Sequence, residues 1–134
     1  MSDPPDLPDL PDTAAPSLNV FGEALVPCSF DPLTGWFRNG CCDTDDSDRG
    51  SHTVCVRVTA EFLAYSKSVG NDLSTSQGNF VGLKPGDQWC LCAPRWADAF
   101  KAGAAPNVVL ASTHERALDS CSLDDLMQHA LDVS

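Results

Sequence analysis

A small mixed α+β domain is the fold class that the sequence predicts, with short strands each followed by a helix and an irregular, cysteine-rich front half. Three observations predict it. Val54, Val56 and Val58 alternate with Thr53, Cys55 and Arg57, the period of a half-buried strand. Alternating or apolar runs then give way to helix signals, Thr59 after the first and Pro94 after the second. Between Cys28 and Gly50, by contrast, turn residues crowd out any periodic apolar run.

The elements follow in chain order. Residues 1–17 read as a disordered acidic tail: Asp3, Asp6, Asp9 and Asp12 recur among Pro4, Pro5, Pro8, Pro11 and Pro16. Such a segment favours extended polyproline geometry and has little apolar surface to bury. Residues 18–134 form the globular domain, opening near Leu18 to Gly22. The stretch 28–50 is loop, with a short hairpin placed around Trp36, Phe37 and Arg38. A strand is predicted over 52–58 and a helix from Ala60 to about Val69, capped by Thr59 and ended by Gly70. Lys84-Pro85-Gly86-Asp87 is a turn signal, after which 88–92 is the next strand. Pro94 suits the first turn of a helix that runs to Ala102 and stops at Gly103. A third strand is placed over 107–111, which would make 88–111 a compact βαβ unit with parallel strands. After Thr113 periodicity allows either a short helix or a turn and strand. Ser122, with Asp125 three residues later, marks the start of a last helix over 123–131.

Composition bounds the function classes. The 134 residues carry 19 acids against 8 bases, a net charge of −11, and the only lysines are Lys67, Lys84 and Lys101. Such a surface repels nucleic acid and anionic membrane, so neither is an expected partner. Abundant Asp with scarce Lys is a pattern of salt-adapted proteins, which makes halophilic adaptation an expectation. No apolar run approaches a membrane span, and the N-terminus has neither the basic nor the apolar segment of a signal peptide. The expected location is therefore cytoplasmic, where standing disulfides are not expected. The seven cysteines are also odd in number, so they cannot all pair within one chain.

Several longer motifs point to a family. Asp31-Pro32-Leu33-Thr34-Gly35, Gly40-Cys41-Cys42, Gly50-Ser51-His52-Thr53-Val54-Cys55 and Gly70-Asn71-Asp72-Leu73-Ser74-Thr75 are four of them. Gly82-Leu83-Lys84-Pro85-Gly86-Asp87, Trp89-Cys90-Leu91-Cys92-Ala93 and Ala111-Ser112-Thr113-His114-Glu115 complete the set. Together they resemble domain-of-unknown-function family 2237, small and mostly bacterial, over roughly residues 19–131. The resemblance implies no activity. Two departures from its pattern, a shorter loop at 76–80 and Cys121 in place of an aliphatic residue, argue against a site at either.

Three chemistries compete for the thiols. A metal, zinc by ligand type, can draw on Cys90 and Cys92, which share a strand face, with Cys41, Cys42, Cys55 and His52. The chain has no Cys-x-x-Cys pair, so this signal is weak. Thiol catalysis favours Cys92: it precedes a helix N-terminus, whose partial positive charge favours a thiolate, and Arg95 lies in the first turn. His52 or His114 is then the candidate base. Anion binding is the third reading, with Arg95, Arg116 and His114 gathering a small anionic ligand at the strand ends. Against all three stands simple packing, since free cysteine behaves as a small hydrophobe; Cys28, Cys55 and Cys121 are read as core fillers. Asp43, Asp45, Asp46 and Asp48 lack the spacing of an EF-hand and are read as a solvated loop. The first expectation is thus a small-ligand or metal-binding domain. A thiol-dependent enzyme using Cys92 and an interaction module with inert thiols are the alternatives; no protein partner is specified.

Overall fold

The computed structural model describes residues 17–77, 80 and 82–132. The proposed tail, Ser17 apart, lies outside them. Three strands form the sheet: β1 (His52–Arg57), β2 (Gln88–Cys92) and β3 (Asn107–Val108). The helices are α1 (Ala60–Ser68), α2 (Ala93–Lys101) and α3 (Leu123–Gln128), with 3-10 turns at Leu110–Ser112 and Glu115–Asp119. The architecture is α+β, as the sequence predicts, and the segment after Thr113 resolves as helix rather than strand.

Strand order is β2-β1-β3, and β1 pairs antiparallel with both neighbours. This corrects the compact βαβ unit. The strands on either side of α2 do run the same way, but β1 lies between them. Their shared partner explains the arrangement: Val54, Val56 and Val58 carry the most regular apolar face in the chain, and the centre of a sheet buries it best. β3 is also shorter than expected, because Leu110 turns into the 3-10 segment. There the Asp132 carboxylate accepts from the backbone N–H groups of Leu110 (2.8 Å) and Ala111 (2.9 Å).

The two faces of β1 have different fates. Val54, Val56 and Val58 pack with Leu91, Phe62, Trp96, Val108, Leu110 and Leu126 in the main core. Trp96 is fully buried, and its indole N–H donates to the Pro106 carbonyl at 3.3 Å, so its one polar atom is satisfied. Cys55, on the opposite face, joins Cys28, Cys42 and Cys90 in a separate buried cluster.

Local signals hold the helices. The Thr59 hydroxyl accepts from Phe62 N–H at 3.0 Å, and the Ser122 hydroxyl accepts from Asp125 N–H at 3.1 Å. Each satisfies a donor that the first helical turn leaves unpaired.

The front half is irregular yet tied to the sheet. Buried Thr34 accepts from Cys90 N–H at 2.9 Å, and Asn19 Nδ2 donates to the Ala111 carbonyl at 3.0 Å. The expected hairpin at Trp36 to Arg38 is instead a turn, closed by Arg38 N–H and guanidinium bonds to the Gly35 carbonyl. Arg38 sits at φ +53°, a left-handed conformation that a strand cannot continue.

Candidate functional site

Cysteine pairing overturns one expectation at once. Cys28 is bonded to Cys55, and Cys42 to Cys90. Standing disulfides thus occur where a reducing location predicts none, and Cys28 and Cys55, expected core fillers, are buried as members of cross-links. Each bond joins the front loop to a strand. The strand members face each other, because the β1–β2 register pairs Cys55 with Cys90. Cys41, Cys92 and Cys121 remain free. The Cys/His metal set is therefore divided: Cys42, Cys55 and Cys90 lie in the sulfur cluster with Cys28, whereas His52 and Cys92 form a separate group. With both bonds formed, those four sulfurs have no thiolate to offer a metal.

The second group is built by a strand irregularity. From Val54 to Arg57 the register with β2 is regular, but it shifts between His52 and Val54, so that His52 faces Cys92. Without the shift Thr53 would take that place. A β-bulge re-aims a side chain in this way and bends the strand. The loop before it is held tightly: Ser51 adopts φ +52°, and the Ser51 carbonyl accepts from Thr53 N–H and Ala93 N–H, both at 2.8 Å. The Ala93 bond ties the loop to the start of α2, where Cys92 is the N-cap residue. Close approach at Gly50 completes the fit. A Cβ on that residue would lie 3.0 Å from His52 Cε1 and 3.1 Å from Cys92 Sγ.

Asp48 is the third member, and the sequence reading missed it by treating the acidic run as solvated. Its side chain is buried, while Asp45 and Asp46 are exposed. One carboxylate oxygen lies 2.6 Å from His52 Nδ1; the other accepts from His52 N–H and from the Thr44 hydroxyl, both at 2.9 Å. The available signal was the spacing Asp48-Arg49-Gly50-Ser51-His52, which lets a tight turn fold the carboxylate back onto the histidine.

Electrostatics follow from these contacts. The Cys92 side chain, then Asp48, stabilise the His52 imidazolium against the opposing effect of burial, and its pKa rises to about 9. Burial works against the Asp48 carboxylate, yet hydrogen bonds from the His52 ring, the His52 backbone and Thr44 outweigh it and hold its pKa below the usual value. With Nδ1 committed to Asp48, Nε2 is the ring nitrogen left for the thiol. Trp36 stacks on the imidazole at 5.7 Å between centroids and 14° between planes.

Beside this group lies a cleft of about 310 Å³ lined by Trp36, Arg38, His52, Leu73 and Trp89. It shares Arg38 and Trp89 with a neighbouring cleft of about 450 Å³ walled by Phe30, Leu33 and Phe80. Arg38 lies over the Trp89 ring, 5.4 Å from its centroid. The wall is mainly apolar and aromatic. Arg38 and the His52 ring bring positive charge to the smaller cleft, and Asp31 adds a carboxylate to the larger one, so an anionic group on an apolar ligand is suited to the smaller cleft.

Other candidates lie elsewhere. His114 caps the turn at 115–119; its Nδ1 accepts from Arg116 N–H at 3.0 Å, and burial lowers its pKa. A ring nitrogen that accepts a backbone N–H belongs to neutral imidazole, so both observations describe an uncharged cap. Arg116 pairs with exposed Asp46 at 2.8 Å, while Arg95 lines a cavity against Tyr65 and Asp98. The three bases proposed for an anion site are thus not gathered. Cys41 is half-buried, and burial with Asp43 nearby raises its pKa. Burial raises the Cys121 pKa to about 11, and its thiol donates to the Ala93 carbonyl at 3.3 Å, as a packed residue does.

No helix among the described residues is long and apolar enough to cross a membrane. A family model described as "Uncharacterized protein conserved in bacteria (DUF2237)" matches residues 18–130. No curated protein matches the chain.

Proposed function

The chain belongs to the DUF2237 family, and we propose that it carries a thiol-dependent activity with Cys92 as nucleophile, His52 as proton carrier and Asp48 as the group that orients the ring. The observation that carries this reading is His52, whose imidazole is bonded to Asp48 at 2.6 Å and whose backbone the register shift sets opposite Cys92. Nucleophile, base and orienting carboxylate are the parts that activated thiols use.

Each part has a step. The thiol proton passes to His52 Nε2, giving a thiolate beside an imidazolium. The sulfur forms a bond to an electrophilic carbon of the substrate, and the imidazolium returns its proton to the leaving group. Water then releases the bound fragment, with His52 again taking a proton. The His52 pKa of about 9, raised first by the Cys92 side chain and then by Asp48, makes the ring a stronger proton acceptor than an ordinary imidazole. The adjoining cleft supplies the binding surface, and Arg38 favours a substrate with a carboxylate or similar anion.

Alkylation of the native, non-reduced chain with iodoacetamide, mapped by mass spectrometry, tests this. At pH 6 Cys92, assisted by His52, should react on the order of 10-fold faster than Cys41, whose pKa burial and Asp43 raise. His52→Ala should remove that advantage. A Cys92 that stays unreactive until the chain unfolds would sink the proposal and favour a binding module with inert thiols.

A further inference from the structure

We propose that Cys28, Cys42, Cys55 and Cys90, once reduced, form a closed tetrathiolate site for a zinc-class divalent cation, so that the buried sulfur cluster interchanges between two disulfides and one metal centre. The inference shares no residue with the Cys92 group and does not depend on it.

Geometry carries it. The Sγ atoms of Cys28, Cys42 and Cys55 all lie within 4.8 Å of one another, and Cys90 Sγ is bonded to that of Cys42. Four sulfurs about 2.3 Å from a shared tetrahedral centre lie about 3.8 Å apart; three of the four already lie within reach of that spacing, and Cys90, released from Cys42, would swing in as the fourth donor. The donors come from four separated positions, two on the front loop and two facing each other across β1 and β2. All four are at least 94% buried, the environment of a structural rather than an open catalytic site. An outer contact fits as well: the Gln88 side-chain amide lies 3.8 Å from Cys55 Sγ and donates to the Cys28 carbonyl at 2.6 Å. An N–H donor next to sulfur stabilises thiolate charge, as partners around metal ligands do.

The chemistry balances. Two equivalents of a dithiol reductant each deliver two electrons and two protons, leaving four thiols and two oxidised reductant molecules. A divalent cation then displaces four protons and binds four thiolates. In reverse, a disulfide-class oxidant takes two electrons from each sulfur pair, and the cation leaves.

The test uses the full chain, reduced by a dithiol without oxygen, desalted and titrated with cobalt(II) and then zinc(II). The expected result is about one cobalt per chain with a tetrahedral thiolate spectrum, displaced by zinc. Cys92→Ser and His52→Ala should leave the titration unchanged, and Cys55→Ser should weaken it at least about 100-fold. In the zinc-loaded wild type, Cys28, Cys42, Cys55 and Cys90 should resist iodoacetamide while Cys41 and Cys92 react. A reduced chain that takes up no cobalt overturns the proposal. So does one that unfolds on reduction and is not restored by zinc, or one whose cobalt spectrum depends on Cys92 or His52.

Discussion

Gly50 makes room for the two side chains on which the proposed activity rests. A methyl group there would press on His52 Cε1 and Cys92 Sγ together. Gly50→Ala should therefore slow Cys92 alkylation at pH 6 several-fold while leaving the circular dichroism spectrum unchanged. Asp48→Asn tests the orienting carboxylate: the amide keeps the shape but loses the charge, so alkylation should slow toward the His52→Ala rate. The same residues predict a pH dependence. The folded-state pKa of His52, about 9, lies above its ordinary 6.5. Its contribution to stability is then fully present below about pH 6.5 and is lost as pH rises through 9. Asp48, with a lowered pKa, contributes above the ordinary carboxylate range and loses that contribution on acidification. Urea unfolding should show His52→Ala destabilised relative to wild type at pH 6, with the gap shrinking by pH 9.5. A gap that is constant across that range would contradict the assigned ion pair.

At the scale of elements, the shift in β1 register decides what the site contains. Side chains alternate along a strand, so a displacement of one residue exchanges the faces. Thr53 would otherwise sit opposite Cys92, and no imidazole would meet the thiol. The rest of β1 keeps its regular register, which is why one strand serves the apolar core, the sulfur cluster and the Cys92 group. The helices are held more locally. Thr59→Ala removes the cap of α1 and should cost about 1 kcal/mol in urea unfolding, without changing the alkylation rate of Cys92. An equal loss in both measurements would mean that α1 supports the site directly.

For the whole molecule, two cross-links compensate for a front half that has little regular structure. Cys28–Cys55 and Cys42–Cys90 span sequence separations of 27 and 48 residues. Loop-closure entropy assigns each about 3.5–4 kcal/mol, a size comparable with the whole stability of many domains. Reduction in the presence of a chelator should therefore lower the thermal midpoint strongly. The core supplies the other large term. Trp96 is fully buried against Phe100 and His129, and Trp96→Ala should cost about 3–5 kcal/mol. A much smaller loss would show that α2 packs less tightly than its burial indicates.

What the sequence determined by itself was local. The alternation at 54–58, the caps at Thr59 and Ser122, the break at Gly103 and the placement of Cys92 before a helix all depend on near neighbours, and each was legible. The α+β class and the family followed from such runs. Tertiary structure alone decided the position of β1 between β2 and β3, because strand order depends on which apolar face is buried most completely. It decided the disulfides too, since Cys28 meets Cys55 only through the path of an irregular loop. The division of the cysteines into a bonded cluster and a free Cys92 follows from that pairing. Asp48 was overlooked for a related reason: composition counts a carboxylate as solvated until a fold buries it. Strand register brought His52 to Cys92, and a one-residue shift is set by packing that no local pattern records.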